Sequence, residues 1–170
     1  MKLIAIGANL PSRYGTPQEA CQAALALLEA TGTIQVTACS GWWETAPVPA
    51  SDQPWYVNGV AVIETALSAS DLLHQLHMVE AEMGRVRTVA NAARVIDLDL
   101  IAYDHVLSDD SHLQLPHPRM HLRTFVLAPL CDIAPGWIHP VLLKDARSLL
   151  NALPAGEKGP QALRRAAQPE

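Results

Sequence analysis

Asp97 and Asp99 stand one residue apart in the run NAARVIDLDLI, residues 91–101. If that run is a strand, both carboxylates share a face, about 7 Å apart by the ordinary strand rise. Two unpaired acids held together repel each other and resist losing water. A hard divalent cation relieves both problems. Mg²⁺ takes carboxylate oxygens and usually brings phosphate with it, and paired metals are a common arrangement for phosphoryl chemistry. The pair alone is ambiguous, since a solvated sheet face also carries harmless acids at this spacing. Its neighbours narrow the choice. Arg85, Arg87 and Arg94 lie in an acid-free stretch from Met83 to Ile96. His112, His117, Arg119, His121 and Arg123 lie in a second acid-free stretch from Ser111 to Cys131. Guanidinium forks match phosphate oxygens. No GxxxxGK[ST] occurs, and the lysines are Lys2, Lys144 and Lys158. A nucleotide here would be held by arginine and metal, not by a glycine-rich cradle.

Other residues have two readings each. Tyr56 and Asn58, two apart in a strand-like run, offer a stacking ring beside an amide that reads donor and acceptor edges. Each is also an ordinary core or edge residue. Phe125, the sole phenylalanine, falls in the second basic stretch. It can form the other wall of an aromatic slot or simply pack. His117 is a candidate phosphate donor. His77 and Glu80, three apart on a helix, share a neighbouring face. With Asp97 and Asp99 they would make the ligand set of a transition-metal hydrolase.

The rest of the chain must position these groups. Its 170 residues suit one domain with a real core. A net charge of -5 argues against broad nucleic-acid binding. Local basic stretches on an acidic chain suit a small polyanion. Cys21, Cys39 and Cys131 are odd in number and widely spaced, so they read as free buried thiols of a cytoplasmic protein. No apolar run is long enough for a membrane span. We expect a monomer acting on small molecules, with no nucleic-acid or membrane partner.

KLIAIGANL reads as a first strand ending at Gly7-Ala8-Asn9. Thr16, Pro17 and Glu19 then open a helix with a capping box. Ala20, Ala24, Leu27 and Leu28 are its apolar stripe. IQVTACSGWW reads as one second strand, and WYVNGVAVIET as a third. Between them lies the proline-rich ETAPVPASDQP connection. Ser68 and Asp71, as a capping-box pair, open a second helix with the stripe Leu72, Leu76, Val79 and Met83. RVIDLDLIAY is the fourth strand, with Ile96, Leu98 and Leu100 facing the helices and Val95, Asp97, Asp99 and Ile101 facing away. A short helix follows in PHPRMHLRTFVLAPLCDIAP, then a last one near Asp145 to Leu153. Residues 1–153 form one domain, and 154–170 read as a frayed tail. The order strand, helix, strand, strand, helix, strand is the α+β, ferredoxin-like βαββαβ arrangement. It puts both helices on one face of an antiparallel sheet and leaves the other face for a site.

The ordered segments LIAIGANL, ETAPV…DQPWYVNGVAVIET, EAEMGRVR, ARVIDLDLI and LPHPRMHLRTFVLAPLCDIAP resemble 6-hydroxymethyl-7,8-dihydropterin pyrophosphokinase of folate synthesis. The likeness runs to about Leu153. It implies transfer of pyrophosphate from ATP to the pterin hydroxymethyl oxygen, with release of AMP. It implies two Mg²⁺ ions on Asp97 and Asp99, with Arg85 and Arg94 beside them in catalysis. Glu80, His77, Arg87, Ile101, His117 and Arg123 would serve the nucleotide. Tyr56, Asn58, Phe125 and the segment Thr45, Ala46, Pro47 and Val48 would hold the pterin. The sequence departs from the family pattern in the loop before the DxD strand. Asn91, Ala92 and Ala93 replace Trp-Gly-Pro, Thr88 replaces a basic residue, and the loop is one residue short. His77 replaces a glutamine and Pro118 a tyrosine. These departures imply a differently closed ATP site, and a pterin-binding relative without turnover is the alternative.

Overall fold

The computed structural model describes residues 1–47, 52–85, 93–158 and 163–167. Strand β1 (Lys2–Ala8) leads to helix α1 (Pro17–Ala30). Thr16 caps this helix as its sequence predicts. Its Oγ1 accepts the Glu19 amide at 3.3 Å, and the Glu19 carboxylate accepts the Thr16 amide at 2.7 Å. Helix α2 (Ala69–Glu82) is capped differently. Ser68 Oγ accepts the Asp71 amide at 3.1 Å, and Asp71 Oδ2 accepts the Ser68 hydroxyl at 2.7 Å. Aspartate is a methylene shorter than glutamate, so the expected reciprocal box gives way to this hydroxyl bond.

Four antiparallel lanes make the main sheet. They are β5 (Asp97–Tyr103), β1, β4 (Tyr56–Thr65), and an outer lane of β2 (Ile34–Cys39) followed by β3 (Trp43–Thr45). With β2 and β3 as one interrupted lane, the order is the expected βαββαβ. The second strand is not continuous as expected, because it breaks at Ser40 to Trp42. Ser40 Oγ accepts the Val60 amide at 3.0 Å. The Trp42 ring crosses Gly59 so closely that a Cβ there would come within 2.6 Å.

Each sheet face has its own core. Ile4, Ile6, Ala61, Ile63, Leu98 and Leu100 pack on Ala20, Ala24, Leu28, Leu72 and Leu76 of α1 and α2. Cys21 joins that core, while Leu27 is partly buried. Val95, expected on the opposite face, packs at the edge of this core. The second face is not left free. Leu3, Val60 and Ile101 pack against Val126, Leu127 and Leu130 of α3 (Thr124–Ile133) and Leu149 of α4 (Ala146–Ala152). The strands carry apolar residues on both faces, so both need a cover. Site residues occupy the polar part of this face, beside that core.

Three further features differ from expectation. A hairpin of β6 (Ser108–Asp110) and β7 (Leu113–Leu115) precedes His117. The tail, expected to fray, forms the one-turn helix α5 (Ala155–Lys158) and strand β8 (Leu163–Arg165) on the edge of β3. Cys21 and Cys131 are buried free thiols, but Cys39 is exposed. Among the described residues no helix is long and apolar enough to cross a membrane.

Candidate active site

A transverse row of paired residues crosses five strands: Asp97, Gly7, Asn58, Trp43 and Arg165. Directly paired residues of antiparallel strands share a face. Asp97 and Asn58 therefore stand on one surface with Gly7 between them. A Cβ on Gly7 would lie 3.0 Å from Asn58 Oδ1, so the absent side chain leaves room for that amide. One step along the strands, Asp99 pairs with Ala5, which pairs with Val60. The two carboxylates thus share a face, as the alternation predicts.

Arginines converge on them. Arg85 Nη1 donates to Asp97 Oδ1 and also to Glu80 Oε1. Arg94 Nη1 donates to Asp97 Oδ2 at 2.7 Å. Arg123 Nη1 lies 3.7 Å from Asp99 Oδ2. Glu80, 2% exposed, also accepts the Leu98 amide at 2.7 Å. It ties α2 to the start of β5 and aims Arg85 at Asp97. Burial works against the Arg85 charge, but Asp97 and Glu80 hold its guanidinium above its ordinary value.

The carboxylate of Asp99 is pushed up to about 6, first by the surrounding protein and then by the charge of Asp97. Its side chain remains 39% exposed. His117 is held down to about 4, by burial first and then by Arg123 and Arg119. Its Nδ1 accepts the Arg119 amide at 3.2 Å, which leaves Nε2 as the donor of a neutral ring.

Asn58 Nδ2 donates to Thr45 Oγ1 at 2.8 Å, joining β4 to β3. Tyr56 pairs with Thr45 on the same face, and its hydroxyl donates to Gln53 Oε1 at 3.2 Å. Ala46 and Pro47 continue from there, half-buried. Phe125 lies on α3 against the second core, under the Arg123 guanidinium at 5.4 Å. Ile101 is fully buried in that core, and its carbonyl accepts the His117 amide at 2.8 Å. Its part is to place His117. His77 is half-buried on α2, one turn before Glu80. The hydrolase ligand set does not assemble: among the described residues no group of three or more His, Cys, Asp or Glu is disposed to hold a metal. Glu80 is instead engaged by Arg85 and the Leu98 amide. Arg87, Val48 and the divergent segment 88–92 lie outside the described residues.

Asn9 was not singled out from sequence. It is fully buried, and its Oδ1 accepts the Arg94 amide at 2.9 Å. Its own amide donates to the Arg94 carbonyl at 3.1 Å. Nδ2 donates to Pro54 O at 3.2 Å and Gln53 Oε1 at 3.3 Å. One side chain thereby joins the Arg94 segment to the loop before Tyr56. The signal was the Asn of GAN, read there only as the end of the first strand. A cavity of about 540 Å³ touches this site at His117 but is otherwise walled by residues such as Leu115, His121, His139 and Leu142. Neither carboxylate lines it.

The arrangement is a two-carboxylate, multi-arginine surface beside a tyrosine, an amide and a helix-borne phenylalanine. It fits a polyphosphate next to a flat polar ring. Residues 3–135 match the family profile described as 7,8-dihydro-6-hydroxymethylpterin-pyrophosphokinase (HPPK). A 2-amino-4-hydroxy-6-hydroxymethyldihydropteridine pyrophosphokinase of Pseudomonas aeruginosa is 39% identical over 152 residues, 89% of either chain. Its counterpart in Haemophilus influenzae is 39% identical over 81% of this chain and 83% of that one. The folic acid synthesis protein fol1 of Schizosaccharomyces pombe is 34% identical over 89% of this chain, which spans 20% of that longer protein. In fold, the chain matches HPPK-DHPS of Plasmodium falciparum with a TM-score of 0.64 at 13% identity, over 88% of this chain and 44% of that one. By the profile match and the identities with the Pseudomonas aeruginosa and Haemophilus influenzae relatives, the chain belongs to the 7,8-dihydro-6-hydroxymethylpterin-pyrophosphokinase family.

Proposed function

We propose that this sheet face carries out the reaction of the family, transfer of pyrophosphate from ATP to the hydroxymethyl oxygen of 6-hydroxymethyl-7,8-dihydropterin in folate synthesis. AMP is the other product, since the bond broken lies between the α- and β-phosphates. The observation that carries the assignment is the convergence of Arg85, Arg94 and Arg123 on Asp97 and Asp99.

The donor set suits Mg²⁺. It offers carboxylate oxygens from Asp97 and Asp99, which match a hard cation. These two residues would hold two ions together with phosphate oxygens and water. Mg²⁺ bound there supplies neutralisation of the triphosphate and a more acidic hydroxyl. Arg85 and Arg94 exchange Asp97 for phosphate oxygens, because both acceptors present the same fork geometry. His117 donates to phosphate through Nε2, and Arg123 leaves Asp99 for the chain's anionic partner. Glu80 keeps Arg85 in place during that exchange. Tyr56 and Phe125 flank the pterin, while Asn58 and the Thr45–Pro47 backbone read its polar edge. Positioning of the hydroxyl for in-line attack does much of the remaining work.

The exposed free thiol of Cys39 fits the reducing cytoplasm we infer for the protein. The direct test is phosphorus NMR with ATP, Mg²⁺ and 6-hydroxymethyl-7,8-dihydropterin. Stoichiometric AMP and pterin pyrophosphate are expected. An ATP analogue with a methylene between the α- and β-phosphates should bind without reacting. Turnover of that analogue would instead mean γ-phosphoryl transfer.

A further inference from the structure

Strand β8 extends the site row to its far end. Arg165 pairs with Trp43, which pairs with Asn58, so all three share the face of the candidate site. Three groups meet there. Arg165 Nη1 and Nη2 donate to Asp132 Oδ2 and Oδ1, each at 2.7 Å, a bidentate pair. Trp43 Nε1 donates to the same Asp132 Oδ2 at 2.9 Å. The Arg165 guanidinium also lies 4.2 Å over the Trp43 ring, within cation–π reach. Gly41 makes room for it, since a Cβ there would fall on Arg165 Nη1. The neighbouring Arg164 donates to Glu44 Oε2 at 2.5 Å and covers the Trp55 ring at 4.6 Å. The Ala166 amide donates to the Trp42 carbonyl at 2.9 Å.

Asp132 and Phe125 are seven residues apart on α3, two turns, and so lie on one face of that helix. Trp55 precedes Tyr56 directly. The Trp43–Asp132–Arg165 cluster thus fixes α3, which carries Phe125, against β3 and β4, which carry Thr45, Asn58 and Tyr56. We propose that β8 is a C-terminal strap, with Arg165 and Arg164 as positioning residues that set the gap between the Phe125 wall and the Tyr56–Asn58 floor. This rests on the pterin-slot reading above. Among the described residues, the strap's side-chain bonds and ring contacts go to Glu44, Trp55, Asp132 and Trp43, on the ring-binding half of the site, so its effect should fall there. None of this was visible in the sequence, where the segment reads as a loose, charged tail.

The test uses the full chain with Arg165→Gln and Asp132→Asn, singly and together. Pterin and Mg-ATP binding are measured by calorimetry, and β3 amide protection by hydrogen exchange. Each single variant is expected to weaken pterin binding about fivefold while ATP binding stays within about twofold, with the double variant no worse than either single one. Exchange of the β3 amides should speed up while β1 and β5 keep their protection. Equal weakening of pterin and ATP would reduce the cluster to general stability and overturn the proposal. Unchanged β3 exchange would overturn it as well. A wild-type chain that binds ATP but no pterin would count against the slot reading, with the β3 exchange still deciding whether the strap exists.

Discussion

Asp97 meets two guanidiniums, and Asp99 meets a third at 3.7 Å. Asp97→Asn and Asp99→Asn should each lower kcat by at least about 10²-fold, the usual scale for removing one electrostatic partner of a transition state. Far-UV circular dichroism should be unchanged. Retention of more than a tenth of wild-type activity in both would count against the assignment. His117 makes a prediction of a different kind. Its ring is depressed to about 4 against an ordinary 6.5. The unfolded chain therefore takes up the proton first as pH falls. Stability from this group is complete above about pH 6.5 and is lost as pH drops towards 4. Proton NMR of the His117 ring should show a midpoint near 4 in the free protein. ATP should move that midpoint upward, since a phosphate favours the charged ring. A free-protein midpoint near 6.5 would refute the buried, arginine-flanked environment.

At the scale of elements, Asn9 is the joint between the end of β1, the Arg94 segment and the loop before β4. Asn9→Ala leaves the part-buried Arg94 amide without its side-chain partner. It should cost about 1–3 kcal/mol in urea unfolding, the usual penalty for an unsatisfied buried group. ATP binding should weaken as well, because Arg94 is no longer held at Asp97. Unaltered stability and ATP affinity together would remove Asn9 from the site. The helices were legible because their start signals act locally: Thr16, Pro17 and Glu19 lie within one turn. The break at Ser40–Trp42 was not, because it depends on a serine meeting Val60 and an indole meeting Gly59 across the sheet.

For the whole molecule, one sheet joins two cores, so both should melt together. Leu76→Ala in the first core and Leu127→Ala in the second remove fully buried side chains. Each should cost about 2–5 kcal/mol, and in both variants far-UV dichroism and tryptophan fluorescence should trace one common transition. Separate transitions would show that the α3–α4 layer folds as an independent unit. The same two-sided sheet explains why the site occupies part of a face. The second core takes Leu3, Val60 and Ile101, and beside it runs the polar stretch from the partly exposed Asp97 to the buried Asn58 and Thr45.

Period-two alternation around Asp97 and Asp99 and the ordered segments shared with the family were enough to put both carboxylates on one face and to name the fold and the family from sequence alone. Each depends on local covalent geometry or on residues close along the chain. What the tertiary structure decided was which groups hold those carboxylates in place. Asp97 and Glu80 are seventeen residues apart and Asn9 and Arg94 eighty-five, yet both pairs meet beside Asp97. Contacts of that length follow from strand register and from which face the helices cover, and neither is written in any short stretch of sequence.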